Sequence, residues 1–122
     1  MKYIIAVLLI MLCSSCSAVA PANKNEVKGI YYFGHETNAF VLCSSKEVWW
    51  AGGNNEAMKK IEDLYASIVK PYGNLYMVVK GKFTPMEGNG DYVGIFEPTD
   101  LLRYSLEKDV ISNCVPDIEQ LK

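Results

Sequence analysis

The sequence predicts a small, mainly β domain with one helix: a five-stranded Greek-key barrel in the order β-β-β-α-β-β, stapled by a disulfide. Three observations predict it. Short aromatic and β-branched runs are separated by turn residues, a single stretch carries apolar residues at three- and four-residue steps, and two widely spaced cysteines remain once the first segment is set aside. At 122 residues the chain has about one domain's length. Half its residues are apolar and 21% are charged, which excludes a disordered chain and a multi-span membrane protein. Twelve Lys and Arg against fourteen Asp and Glu give a net charge of −2. Nucleic-acid binders carry a basic surplus that displaces counterions from phosphates, so nucleic acid is not an expected partner.

Residues 1–16 read as an export leader. Met1-Lys2-Tyr3 is short and positive, Ile4 to Leu12 holds no polar residue, and small residues follow. Nine apolar residues rise only about 14 Å as a helix, too short for the hydrocarbon core. Ser14-Ser15-Cys16 resembles the bacterial lipobox, although Cys13 stands where leucine is preferred. The expectation is acylation of Cys16, which would hold the domain on a membrane through its lipid. Cleavage after Ala18-Val19-Ala20 is disfavoured by Pro21. Ser17, rather than aspartate, follows Cys16, and by analogy with bacterial sorting it points to the outer membrane, facing the periplasm. Residues 17–26 are small and polar and read as a flexible tether. The folded domain is expected over 27–122.

Within it, Val27 to Phe33 is the first strand, His35-Glu36-Thr37-Asn38 a turn, Ala39 to Cys43 the second strand and Glu47 to Trp50 the third. Aromatic and branched residues on both faces imply a sheet covered on both sides. Asn54 or Asn55 suits a helix N-cap, with Glu56 in the first turn. Met58, Ile61, Leu64, Tyr65 and Ile68 form one apolar stripe, and Pro71 ends the helix near Val69. A single stripe places that helix against a sheet edge or a barrel mouth. Asn74 to Phe83 is the fourth strand, with a bend or bulge at Gly81. Thr84 to Asp91 is a loop, Tyr92 to Glu97 the fifth strand, and the remainder a tail carrying Cys114. Three strands, a helix and two strands is the order of the OB-fold. Gly29, Gly81 and Gly94 suit its sharp curl, whereas ferredoxin-like and cystatin-like sheets need another order.

Cys13 and Cys16 belong to the leader, which leaves Cys43 and Cys114 as an even pair in an oxidising compartment. A disulfide between them closes a loop of about 70 residues and removes roughly 4 kcal/mol of unfolded-chain entropy. A redox or metal role would call for close Cys-x-x-Cys spacing or histidine companions, and neither follows the leader.

Several of these residues together resemble the C-terminal OB domain of NlpE-type envelope lipoproteins. They are Gly29-Ile30-Tyr31-Tyr32, Phe40-Val41-Leu42-Cys43, Trp49-Trp50, Leu64-Tyr65, Leu75 to Gly81, and Cys114. The resemblance spans Val27 to Cys114. It implies an envelope lipoprotein domain standing alone, without that family's N-terminal lipocalin-like domain and its Cys-x-x-Cys motif.

Candidates for chemistry are few. His35, the chain's one histidine, adjoins Glu36 in a turn with no nucleophile beside it in sequence. Ser44-Ser45 lacks the setting of a nucleophile elbow. Met58 and Met77 lie in apolar rows and read as core, which leaves Met86 alone as an exposed soft ligand. Glu87 and Asp91 flank a glycine-rich turn without EF-hand spacing. No cofactor, metal or enzymatic activity is expected. The aromatic residues stand out: Tyr31, Trp49, Trp50 and Tyr76 are the candidate ligand-binding set, because OB-folds stack ligands on the face of strands two and three. Strand neighbours point oppositely, so only one of Trp49 and Trp50 can face the core.

The expected function is therefore that of a non-catalytic envelope lipoprotein that binds an envelope protein or a glycan. The alternatives are a periplasmic lysozyme inhibitor, without the Ser-Gly-x-x-Tyr loop those families use, and a passive envelope component with no exposed aromatic patch. Metabolic labelling with a fatty-acid analogue checks the anchor: the wild-type chain takes up label and Cys16→Ala does not.

Overall fold

The computed structural model describes residues 25–87 and 90–122. Cys16, the leader and most of the tether lie outside the described residues. The elements are β1 (Val27–Gly34), β2 (Thr37–Leu42), β3 (Val48–Ala51), α1 (Glu56–Ile68), β4 (Leu75–Pro85), β5 (Gly94–Ser105), α2 (Lys108–Cys114) and a closing 3₁₀ turn, Ile118–Leu121. The strands close into a barrel in the order β1-β2-β3-β5-β4. All pairs are antiparallel except β3 with β5. This is an OB-like barrel, as the order of elements predicts.

Strand alternation sorts the side chains into two rows. Tyr31 pairs with Phe40 and Leu75, and Phe40 with Trp49, so these rings point inward together. With Ala51, Met77, Val79 and Phe96 they fill the barrel. Helix α1 contributes Met58, Ile61 and Tyr65 to the same cluster, which makes it the plug of a barrel mouth. Asn55 caps it: its Oδ1 accepts the Met58 N–H at 2.9 Å, and its Nδ2 donates to the Pro98 carbonyl at 3.0 Å. The cap thus ties the helix start to β5.

The outward row is apolar too. Ile30, Tyr32, Ala39 and Val41 are buried against Cys114, Val115 and Ile118 of the C-terminal segment. The Cys43–Cys114 disulfide joins the residue after β2 to the last residue of α2, bridging a sequence separation of 71. It pins this cover to the barrel wall.

Two glycines answer the demand for close approach. A Cβ on Gly29 would sit 2.5 Å from the Phe40 ring, and one on Gly94 would fall on the Thr84 carbonyl oxygen and 2.7 Å from Trp49. The register of β4 against β5 shifts at Lys80/Gly81, where the bend is expected, and again at Val78/Val79.

Three features depart from the sequence reading. β5 starts at Gly94 rather than Tyr92 and runs on to Ser105 instead of stopping at Glu97. Pro98, which reads as a breaker, pairs with Gly81 beside the register shift, where a missing N–H is tolerated. Finally, the tail forms a second helix, α2, only seven residues long and too short for an apolar stripe to show.

The disulfide generates a stability expectation. Cys43→Ser/Cys114→Ser should lose roughly 4 kcal/mol, on the order of a 20 °C fall in melting temperature for a domain of this size. Thermal unfolding followed by circular dichroism, with and without reductant, measures it.

Candidate functional site

The four aromatic candidates do not share one surface. Tyr31 is fully buried and Trp49 is 6% exposed, both inside the barrel. These two are core residues, not ligand contacts, because their register places them in the inward row. Tyr76 points outward but packs half-buried against the outer cluster. Trp50 pairs with outward Ala39, is half-buried like Tyr76, and lines a hollow in the surface. Its ring meets Tyr92 edge-on, with centroids 5.2 Å apart and planes at 84°. Met86 (38% exposed) and Ile95 (36% exposed) complete a shallow concavity of about 320 Å³.

This concavity lies at the margin of the outer face of β2 and β3. Ala39 and Val41 on β2 and Val48 at the start of β3 lie in the outer cluster under the C-terminal segment. The chain's own tail therefore occupies much of the surface on which OB-folds stack ligands.

A second and larger cleft, about 840 Å³, opens between the β1–β2 turn and the second half of α1. It is lined by apolar Phe33, Tyr65, Ala66, Val69 and Pro71 and by the acidic Glu36, Glu62 and Asp63, with His35 beside them. Tyr65 holds it together. Its hydroxyl donates to the Gly73 carbonyl at 2.7 Å and lies 3.2 Å from that of Phe33. Tyr72 adds to the brace: its N–H donates to the Phe33 carbonyl at 2.9 Å, and its hydroxyl to that of His35 at 3.0 Å. The Tyr72 ring covers Gly34, where a Cβ would collide with it.

The remaining candidates fall outside any convergent arrangement. His35 is exposed at the cleft margin, its Nε2 3.9 Å from Glu36 Oε1. Ser44 and Ser45 sit in the exposed β2–β3 connection, where the Ser45 hydroxyl donates to Glu47 at 3.1 Å. Met58 and Met77 are core. Gly88 and Asn89, between Glu87 and Asp91, lie outside the described residues. The large cleft escapes sequence reading because its walls come from segments some thirty residues apart. Its only linear signal is an aromatic residue, Phe33, placed directly before a Gly-His-Glu turn.

Fold and surfaces together define a closed, disulfide-pinned OB-like barrel with one aromatic margin and one acidic cleft. Comparison with protein families, curated proteins and solved structures returned no match.

Burial shapes the titration of the phenols. It pushes Tyr31 far above the usual tyrosine range, with Glu62 and Tyr65 adding to the shift. Tyr32, Tyr65 and Tyr92 are also raised, chiefly by burial. A folded-state pKa above the unfolded one stabilises the fold fully below the unfolded value near 10, and that stability is lost as pH rises through the folded value. Stability is therefore expected to fall above about pH 10. Absorbance at 295 nm should show a late-titrating set of tyrosines that ionise only on unfolding. The Tyr31 hydroxyl is buried without a partner, so Tyr31→Phe should be neutral or gain up to about 1 kcal/mol at pH 7 and reduce the alkaline loss.

Proposed function

We propose that this chain is a non-catalytic binding module of the bacterial cell envelope. Acylated Cys16 holds it at a membrane, and it recognises an envelope glycan or protein at the Trp50–Tyr92 margin. The observation that carries this reading is the half-buried Trp50 lining a surface hollow together with Tyr92. A passive envelope component calls for no apolar hollow at the surface, yet here the half-buried Trp50 and Tyr92, edge-to-face, line one beside exposed Met86 and Ile95. Large exposed apolar groups grouped around a concavity mark contact sites. A ring-sized hollow walled by two aromatics suits the apolar face of a sugar, as OB-folds do with oligosaccharides. The lipobox at Ser14-Ser15-Cys16 and the resemblance to the NlpE-type C-terminal domain support the envelope setting.

The chain has two tryptophans, and Trp49 is in the core, so a ligand-induced change in emission comes from Trp50 over a constant Trp49 background. Titration with soluble peptidoglycan fragments should quench and shift the emission of the wild-type chain. Trp50→Ala should abolish the response, losing about 1 kcal/mol with the Tyr92 contact but keeping a cooperative thermal transition. A photo-crosslinker at position 50 in living cells tests the protein-partner form of the reading. The proposal fails if neither fragments nor an envelope protein engage position 50.

A further inference from the structure

We propose that the cleft between the β1–β2 turn and α1 is a second binding site, one that takes an extended cationic peptide segment presenting lysine or arginine beside an apolar side chain. The site is independent of the Trp50 margin and shares no lining residue with it.

The charge of the occupant follows from the acidic lining. Glu36, Glu62 and Asp63 line the cleft, and its walls contain no lysine or arginine. The C-terminal end of α1 points the same way. Ala66 and Val69 border the cleft there, and the last turn of this thirteen-residue helix holds no basic residue to offset the negative end of its dipole. Lys59 and Lys60, about one turn before Glu62 and Asp63, and Lys70, beside Pro71, are the neighbouring basic residues in sequence, and none of them lines the cleft.

The class of cation follows from the apolar lining. The three carboxylates stand beside apolar residues on the same lining, Phe33 among them, a combination that suits a cation carried on an apolar chain. Phe33 is 44% exposed, and its backbone is held by Tyr65 and Tyr72. A fixed, exposed ring suits stacking by a guanidinium or contact with an ammonium, and the site is ordered before the ligand arrives. Volume separates a peptide from a lone side chain: about 840 Å³ accommodates several residues. Alternation of basic and apolar side chains along an extended segment matches a lining of acidic and apolar residues.

The test uses the full-length protein in a non-ionic detergent and a fluorescein-labelled peptide, Lys-Leu-Lys-Leu-Lys-Leu, read by anisotropy against detergent alone. Saturable binding that weakens with added salt is expected. Glu62→Gln/Asp63→Asn should weaken it about tenfold. Ala66→Trp, an exposed helix position whose larger ring fills the cleft, should weaken it at least as much. Trp50→Ala should leave it unchanged, which separates this site from the glycan or protein margin. Absence of saturable binding overturns the proposal, as does equal binding of Glu-Leu-Glu-Leu-Glu-Leu or indifference to both cleft variants. Spermine competing as well as the peptide would overturn the assignment to a peptide.

Discussion

Closing five short strands into a barrel gives each strand an inner and an outer row, and in this chain both rows are apolar over β1 and β2. The inner row is solved by the barrel itself and by α1. The outer row, Ile30, Tyr32, Ala39 and Val41, is covered among the described residues by the segment after β5. Burying Val115 and Ile118 there stabilises the fold by about 2 kcal/mol each, offset by the entropy of ordering a short helix and a 3₁₀ turn. A helix of seven residues cannot persist alone. The Cys43–Cys114 bond resolves the conflict by removing much of the freedom that the segment would have away from the wall. Without that cover, the face on which OB-folds stack ligands would present a broad apolar surface to solvent.

The core was legible because period-two and period-three-to-four patterns survive wherever a row is buried. Met58, Ile61 and Tyr65 could be assigned to a core face from spacing alone, and the cap to Asn54 or Asn55 from residue type and place, with the structure selecting Asn55. The surface was less legible, for a definite reason. Strand alternation establishes that Trp49 and Trp50 point oppositely but not which is inside. That choice is made by the pairing of Trp49 with Phe40, a contact between strands. Tyr31 failed as a surface residue for the same cause, since its inward sense depends on Phe40 and Leu75 across two ladders. Pro98 misled because its local signal is a break, and only the register shift on β4 shows why a proline fits there. The large cleft depends on distant segments and has almost no linear trace.

The two open surfaces are joined by one connector. Tyr65 grips the carbonyls of Phe33 and Gly73, and Tyr72 grips those of Phe33 and His35, so the turn after α1 sets the lining of the acidic cleft. The same turn receives the end of the chain. Asn74 donates to Glu119 at 2.9 Å, Lys122 donates to the Tyr72 carbonyl, and the Lys122 ammonium lies 5.2 Å above the Tyr32 ring. From Lys122 the cover runs back through Ile118 and Val115 to the disulfide, against the outer row that includes Tyr92, the partner of Trp50. The cleft lining, the tail and the aromatic margin thus form a continuous line of contacts. A substitution that loosens the 70–74 turn should therefore disturb both surfaces, whereas one on the exposed face of α1 should disturb only the cleft. Exposed polar contacts such as those of Lys122 contribute little individually; the disulfide is what keeps the far end of that line in place.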